Sequence, residues 1–192
     1  MSRRVNFINN ILVMLFTIVG VFAVVFVANG TFNASMGTVL VYFAVSAVIA
    51  GFICTLFHEV GHLIAGKMNG FAFVSMTVWF FRWRVERGKT VFDFVMMGDE
   101  AGYTEMVAKT TDDLAIKLKK MTLGGLIATA IPMILGVIPF FVAGKLPLFV
   151  FSLTAMFLPI GIYSRNSFDC YITLMLSYQG DFSVFGNAYF LD

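Results

Sequence analysis

The sequence has little charge, because Lys, Arg, Asp and Glu make up only 12% of its 192 residues, while 59% are hydrophobic and 16% aromatic. Soluble domains carry about 25% charged and about 45–50% apolar residues, so this composition excludes an ordinary soluble domain and indicates a membrane protein. The basic residues lie mostly in a segment that is almost equally acidic, which argues against nucleic-acid binding. The two cysteines, Cys54 and Cys170, form neither a C-x-x-C pair nor a disulfide framework.

Several long apolar runs occur along the chain. A helix needs about 20 apolar residues to cross the hydrocarbon layer. The first run also resembles a signal peptide, but it exceeds the usual length of about 7–15 residues and no cleavage site follows. We therefore predict a mainly α membrane protein that forms a single domain, with about four transmembrane helices plus a broken C-terminal helix. The predicted spans are residues 8–28, 37–68, 122–143 and 146–178, the last broken near 160–168.

Lys and Arg near the ends of the spans predict the orientation. Eight of them lie in residues 70–121, and Arg3 and Arg4 lie at the N-terminus, whereas the loop 29–36 has none. Because such residues are enriched in cytoplasmic loops, both termini and the central segment are predicted to be cytoplasmic. We expect a multi-pass protein, and its compact size suggests a prokaryotic plasma membrane.

The central segment, residues 70–121, is predicted to be a β-rich insertion between spans two and three. Phe81, Trp83 and Val85 alternate with charged residues, and "ERGK" supplies a turn, so we predict a small β-hairpin. The hairpin either connects the spans or offers an exposed edge to an extended substrate. Residues 110–121 are predicted to form a short amphipathic helix with Thr111 as its N-cap.

Two histidines and a glutamate lie in the second predicted span, in the stretch "HEVGH". His58 and His62 are the only histidines of the chain, and Glu59 is one of few glutamates. Positions four apart share one face of a helix, so both imidazoles can bind one zinc ion. Glu59 can then act as the general base rather than as a ligand. Ionisable residues inside a membrane are costly, which favours a functional site over a chance match.

Asp169 is the third candidate ligand, because it is the only acidic residue besides Glu59 on a predicted span. A carboxylate is an ordinary zinc ligand, and the break near 160–168 would let Asp169 reach the depth of the histidines. An N-cap of the last helix is the alternative role, and the two are compatible. Cys54, one turn before His58, is expected to be a packing residue.

"HEVGHLIAGKMNG" resembles the first motif of the site-2 protease family, the intramembrane zinc metalloproteases, and "FLPIGIYSRNSFDCY" resembles the second. "LGGLIATAIP" is similar to the small-residue helix between these motifs, and residues 81–106 to the β-rich insertion of small members without a PDZ domain. The resemblance implies one Zn²⁺ held by His58, His62 and Asp169, with Glu59 as the base. It implies hydrolysis of a peptide bond in a transmembrane or membrane-associated substrate.

The sequence departs from this family at two places in the second motif. Cys170 stands where a glycine usually follows the ligand aspartate, and Met156 stands where an asparagine often precedes the proline. Asn166 is then the candidate side chain for substrate binding. The departures leave open a catalytically inactive relative that binds or chaperones peptides. A metal transporter ranks last, because spans one and three have no charged residues in their interiors.

Overall fold

The protein, described by a computed structural model over residues 3–96, 101–142 and 145–155, is mostly helical and has one small antiparallel sheet. Asp169, Asn166, Met156, Cys170 and the predicted break near 160–168 lie outside the described residues. In chain order the elements are α1 (Arg3–Phe32), α2 (Met36–Met68), β1 (Phe71–Val78), β2 (Phe81–Glu86), β3 (Lys89–Phe94), β4 (Gly102–Ala108), α3 (Leu114–Val142) and α4 (Leu146–Ala155).

Within the described residues, two helices are long and apolar enough to cross a membrane, namely α2 and the Leu114–Gly136 part of α3. Only 28% of the most apolar stretch of α2 and 22% of that of α3 are buried. The core helix of a soluble protein would be covered by its neighbours, whereas these helices expose large apolar side chains such as Val41, Val45 and Ile134. Large exposed apolar surfaces of this kind suit contact with lipid or another protein.

Local capping explains where α1 ends and α2 begins. Asn33 has a left-handed backbone (φ 48°), and its N–H donates to the carbonyl of Asn29 at 2.9 Å, which is a common way for a helix to end. Ser35 then caps α2, because its hydroxyl accepts a hydrogen bond from the N–H of Thr38 at 3.2 Å. The predicted boundary near residues 29–36 is thus confirmed as a short turn between two helices.

The predicted amphipathic helix and the third predicted span form one continuous helix, α3. It begins at Leu114, so Asp112 and Asp113 precede its first turn and Thr111 is not its N-cap, contrary to the prediction. Asp113 has a left-handed backbone (φ 52°), and its carbonyl accepts the first hydrogen bond of the helix, from Lys117 at 3.0 Å. The "TTDD" sequence therefore forms a turn before the helix.

The described residues form two compact units, one made of residues 3–54, 129–142 and 145–155 and the other of residues 55–96 and 101–128. In the described part of the first unit, α1, the start of α2 and α4 pack together through apolar side chains. The Phe32 and Phe149 rings meet edge to face with centroids 5.1 Å apart, and the hydroxyl of Ser152 donates to the carbonyl of Gly136. The buried residues of this core are Val24, Val25, Ala28, Val39, Phe149, Val150 and Leu153.

The second unit contains a four-stranded antiparallel sheet with strand order β3-β2-β1-β4. The predicted hairpin is present as β2 and β3, joined at Arg87 and Gly88, which both have positive φ as a two-residue turn of type I′ requires. The hairpin is only half of the sheet, because the strands β1 and β4 were not predicted. The strand β1 was missed because its sequence, "FAFVSMTV", lacks a regular alternation of apolar and polar residues.

The two faces of the sheet differ in chemistry, because residues that pair directly across antiparallel strands share a face. One face of the hairpin carries Phe81, Trp83, Phe92 and Phe94, whose rings contact one another. The other face carries Arg82 and Asp93, which form a two-pronged ion pair at 2.9 and 3.0 Å. These hydrogen bonds lower the pKa of Asp93 and raise the pKa of Arg82.

Small residues allow α2 and α3 to approach at backbone distance within the second unit. A Cβ added to Gly124 would overlap the Cβ of Ala65 and would lie 2.6 Å from the carbonyl oxygen of Gly61. A Cβ added to Gly61 would overlap the carbonyl oxygen of Gly124 and lie 2.5 Å from the Cβ of Ala128. Each helix thus contributes a pair of small residues four apart, a pattern that supports close helix packing. The stretch "LGGLIATAIP" thus packs closely against α2.

Gly124→Ala is expected to lower the stability of the purified protein, because the added methyl group forces the two backbones apart. Overpacking of this kind costs about 1–3 kcal/mol. The measurement is the midpoint of thermal unfolding in detergent. The matched control is Gly37→Ala, also in a helix but with open space around the added Cβ. An unchanged midpoint for Gly124→Ala would contradict the close contact.

Candidate active site

The candidate site lies near the C-terminal end of α2, within the second unit. His58 and Glu59 are buried, with 9% and 5% exposure, and His62 is half-buried one turn further along. The sheet follows directly, because the turn at Asn69 and Gly70 connects α2 to β1. The site is therefore built from α2, the first half of α3 and the sheet.

The two imidazoles converge on one point. Their Nε2 atoms are 3.0 Å apart, and the ring planes are nearly perpendicular at 87°. Two imidazole nitrogens bound to one tetrahedral zinc ion at about 2.0–2.1 Å would be about 3.3 Å apart. The observed separation is close to that value, so a small outward movement of either ring would allow both to bind one ion. The expectation that spacing four on a helix brings His58 and His62 together is confirmed.

A backbone carbonyl sets the tautomer of His62. Its Nδ1 lies 2.9 Å from the carbonyl oxygen of Met121, which only accepts hydrogen bonds, so Nδ1 carries the proton. The Nε2 atom of His62 then carries no hydrogen, and its lone pair faces His58. Metal-binding histidines commonly donate their other N–H to a carbonyl in this way. The same arrangement also serves a direct hydrogen bond, in which His58 Nε2–H donates to His62.

Gly125 holds the other side of the imidazole pair. A Cβ at this position would overlap the Nε2 and Cε1 atoms of His62, and the backbone of Gly125 makes a hydrogen bond with the His58 ring. The "GG" pair in α3 therefore has two separate functions, because Gly124 contacts the α2 backbone and Gly125 contacts the histidines. Nothing in the spacing of "HEVGH" indicates Gly125 or Met121, since both lie on another helix.

The Glu59 carboxylate contacts the sheet. The hydroxyl of Thr104 on β4 donates to Glu59 Oε2 at 2.6 Å, and a Cβ on Gly102 would lie 2.5 Å from Glu59 Oε1. The predicted base therefore has a defined hydrogen-bond partner, Thr104, which lies far from it in the sequence. Gly102 and Thr104 alternate with Tyr103 and Glu105 in "GYTEM", but no local pattern shows that this strand packs on Glu59.

β4 is an edge strand in the described part of the sheet. The N–H of Trp79 donates to the carbonyl of Ala101 at 2.7 Å, so these two form a hydrogen-bonded pair. Hydrogen-bonded and non-bonded pairs alternate in an antiparallel ladder, which directs the N–H and C=O groups of Gly102 and Thr104 away from β1. The sheet edge beside Glu59 therefore belongs to β4, whereas the predicted hairpin lies on the opposite side of β1.

The predicted third ligand, Asp169, and the predicted substrate-binding residue, Asn166, lie outside the described residues. Among the residues that the structure describes, no group of three His, Cys, Asp or Glu side chains is placed to hold a metal ion. Cys54 is fully buried, as expected of a packing residue. The described residues thus bring together two of the three predicted ligands and place the predicted base beside β4.

Gly125→Ala is expected to weaken metal binding strongly, because the added methyl group occupies the space of the His62 ring. Mutation of a residue that orients a metal ligand commonly lowers the metal affinity about 10–100-fold. The measurement is titration of metal-free protein with Co²⁺, followed by its visible absorption. Gly37→Ala serves as the control, and equal Co²⁺ affinity in both variants would contradict a metal site at this position.

No family model matches this chain, and no curated protein or solved structure matches it either.

Proposed function

We propose that the protein is an intramembrane zinc metalloprotease that hydrolyses a peptide bond in or near a membrane-embedded substrate. The observation that carries this proposal is the convergence of His58 Nε2 and His62 Nε2 at 3.0 Å, with Glu59 next to His58 on the same buried turn. A simple pair of packed histidines would not need a carboxylate beside it, and burial of a charged group is costly even with a hydrogen-bond partner.

The residues fit a zinc site. His58 and His62 supply two nitrogen ligands, the carbonyl of Met121 orients His62, and Asp169 is the proposed third ligand. When bound, zinc would supply the Lewis acidity that activates a water molecule for attack on a peptide carbonyl. The Glu59 carboxylate accepts a proton from that water and afterwards donates it to the leaving amine. The resemblance of both motifs to the site-2 protease family supports the same assignment.

The substrate is proposed to bind in an extended form along the outer edge of β4. A helical peptide hides its carbonyls in hydrogen bonds, so the segment to be cleaved must unwind first. The outward N–H and C=O groups of Gly102 and Thr104 can pair with such a segment, which adds a strand to the sheet. Both residues also contact Glu59, so a strand at this edge would pass close to the proposed base.

We propose that the protein is multi-pass, with both termini and the sheet in the cytoplasm. The two helices that can cross a membrane support a membrane location. His58 and Glu59 lie about 15 and 14 Å from the end of α2 at 1.5 Å per residue. We propose that they lie inside the bilayer, on the side of the sheet. Water would then reach the site from the cytoplasm.

Glu59→Gln is expected to abolish hydrolysis while zinc content stays unchanged, because the amide cannot accept a proton but resembles the carboxylate in shape. The probes are a library of quenched fluorescent peptides and a single-span model protein in liposomes, and zinc is measured by mass spectrometry. Glu86→Gln, which removes a carboxylate at the tip of the hairpin, is the matched control.

Retained hydrolysis by Glu59→Gln would contradict the role of Glu59. Zinc-loaded wild-type protein that binds but does not hydrolyse any of these probes would contradict the proposed activity. That result would favour the alternative of an inactive relative that binds peptides, which the unusual Cys170 and Met156 also suggest.

A further inference from the structure

A single hydroxyl group connects the sheet to the proposed base. Thr104 Oγ1 donates to Glu59 Oε2 at 2.6 Å and lies 3.3 Å from the backbone carbonyl oxygen of the same residue. The shorter distance falls in the range of about 2.5–2.7 Å that is typical of a hydroxyl donating to a charged carboxylate. Because a hydroxyl has only one hydrogen, the carboxylate is its main acceptor.

The backbone of Gly102 lies close to the second oxygen of the same carboxylate. A Cβ on Gly102 would lie 2.5 Å from Glu59 Oε1 and 2.6 Å from the Cγ2 atom of Thr55. Gly102 and Thr104 are two apart on β4, so they share one face of the sheet. One carboxylate oxygen is thus hydrogen-bonded by Thr104, and the other lies against the β4 backbone.

The sheet gives Thr104 a fixed position. β4 pairs with β1 from Phe71↔Ala108 to Val78↔Gly102, and Thr104 lies opposite Met76, which is buried with 7% exposure. β-branched side chains such as threonine have few rotamers, so the hydroxyl direction follows from the backbone. The long Glu59 side chain has three rotatable bonds and gains its orientation from this contact.

We propose that Thr104 is a positioning residue that fixes the Glu59 carboxylate for proton transfer. This inference rests on the proposed function, since it assigns Glu59 the role of base. Proton transfer requires that donor and acceptor lie within hydrogen-bond reach, and small misplacements are costly. Loss of the hydroxyl should therefore slow the chemical step and leave the metal ligands His58 and His62 in place.

The test compares Thr104→Val, Thr104→Ser and Thr104→Ala with the wild-type protein, using the best-cleaved peptide of the fluorescent library. Valine keeps the shape of threonine but lacks the hydroxyl donor, whereas serine keeps the hydroxyl. We expect kcat of Thr104→Val to fall about 10–100-fold, the scale of a misplaced catalytic group. KM and zinc content should stay within about twofold, and Thr104→Ser should recover most of kcat. Thr104→Ala should resemble the valine variant.

Thr77→Val is the matched control, because Thr77 lies in the same sheet next to Met76, on the face opposite to Thr104. It should retain the wild-type kcat. The infrared carboxylate bands of the metal-free protein give an independent measurement. The band that is lost in Glu59→Gln should shift in Thr104→Val and not in Thr77→Val.

The outcomes separate this inference from the proposed function. Wild-type kcat in Thr104→Val, together with an inactive Glu59→Gln, would overturn the positioning role and leave the protease assignment intact. A raised KM with unchanged kcat would also overturn it, because Thr104 would then act on substrate binding. An active Glu59→Gln variant would overturn both. If Thr104→Val does not fold, Thr104→Ala and the infrared bands of Thr104→Ser decide the question.

Discussion

The approach of α2 and α3 at backbone distance is the constraint on which the site depends. Gly61 and Gly124 contact each other without side chains between them, and Ala65 and Ala128 continue the contact. This approach brings the carbonyl of Met121 within 2.9 Å of His62 Nδ1 and places Gly125 against the imidazole. Larger residues at the crossing would separate the helices, and the carbonyl that sets the His62 tautomer would move away with α3.

The histidines and Glu59 are positioned by two different elements of the fold. The helix α3 orients the two histidines, while β4 orients Glu59 through Thr104 and Gly102. In the proposed reaction the histidines hold the metal ion and Glu59 moves the proton, so the groups with separate roles also have separate supports. The sheet would then contribute both the edge that binds an extended peptide and the hydroxyl that orients the base.

The sequence predicted the parts of the fold that depend on local patterns. The helical spacing of His58 and His62, the β2–β3 hairpin and the boundary between α1 and α2 follow from periodicity, turn residues and caps, and the structure has all of them. Contacts between distant segments left no such local signal. Thr104 lies 45 residues from Glu59, and nothing in "GYTEM" indicates which helix the strand will cover.

The errors have a similar physical origin. The prediction of Thr111 as an N-cap relied on local composition, but the turn at Asp113 delays the start of α3 to Leu114. The hairpin was predicted without its two neighbours because β1 is partly covered on both faces and does not alternate clearly. Local composition thus places an element within a few residues, whereas packing decides its exact extent.

The most direct test of the account is X-ray absorption spectroscopy at the zinc edge of the purified wild-type protein. We expect one zinc ion per chain, with two imidazole ligands and additional oxygen ligands at about 2.0–2.2 Å. Absence of zinc from protein that hydrolyses peptides would contradict the account. A first shell containing sulfur at about 2.3 Å would also contradict it, because no cysteine is among the proposed ligands.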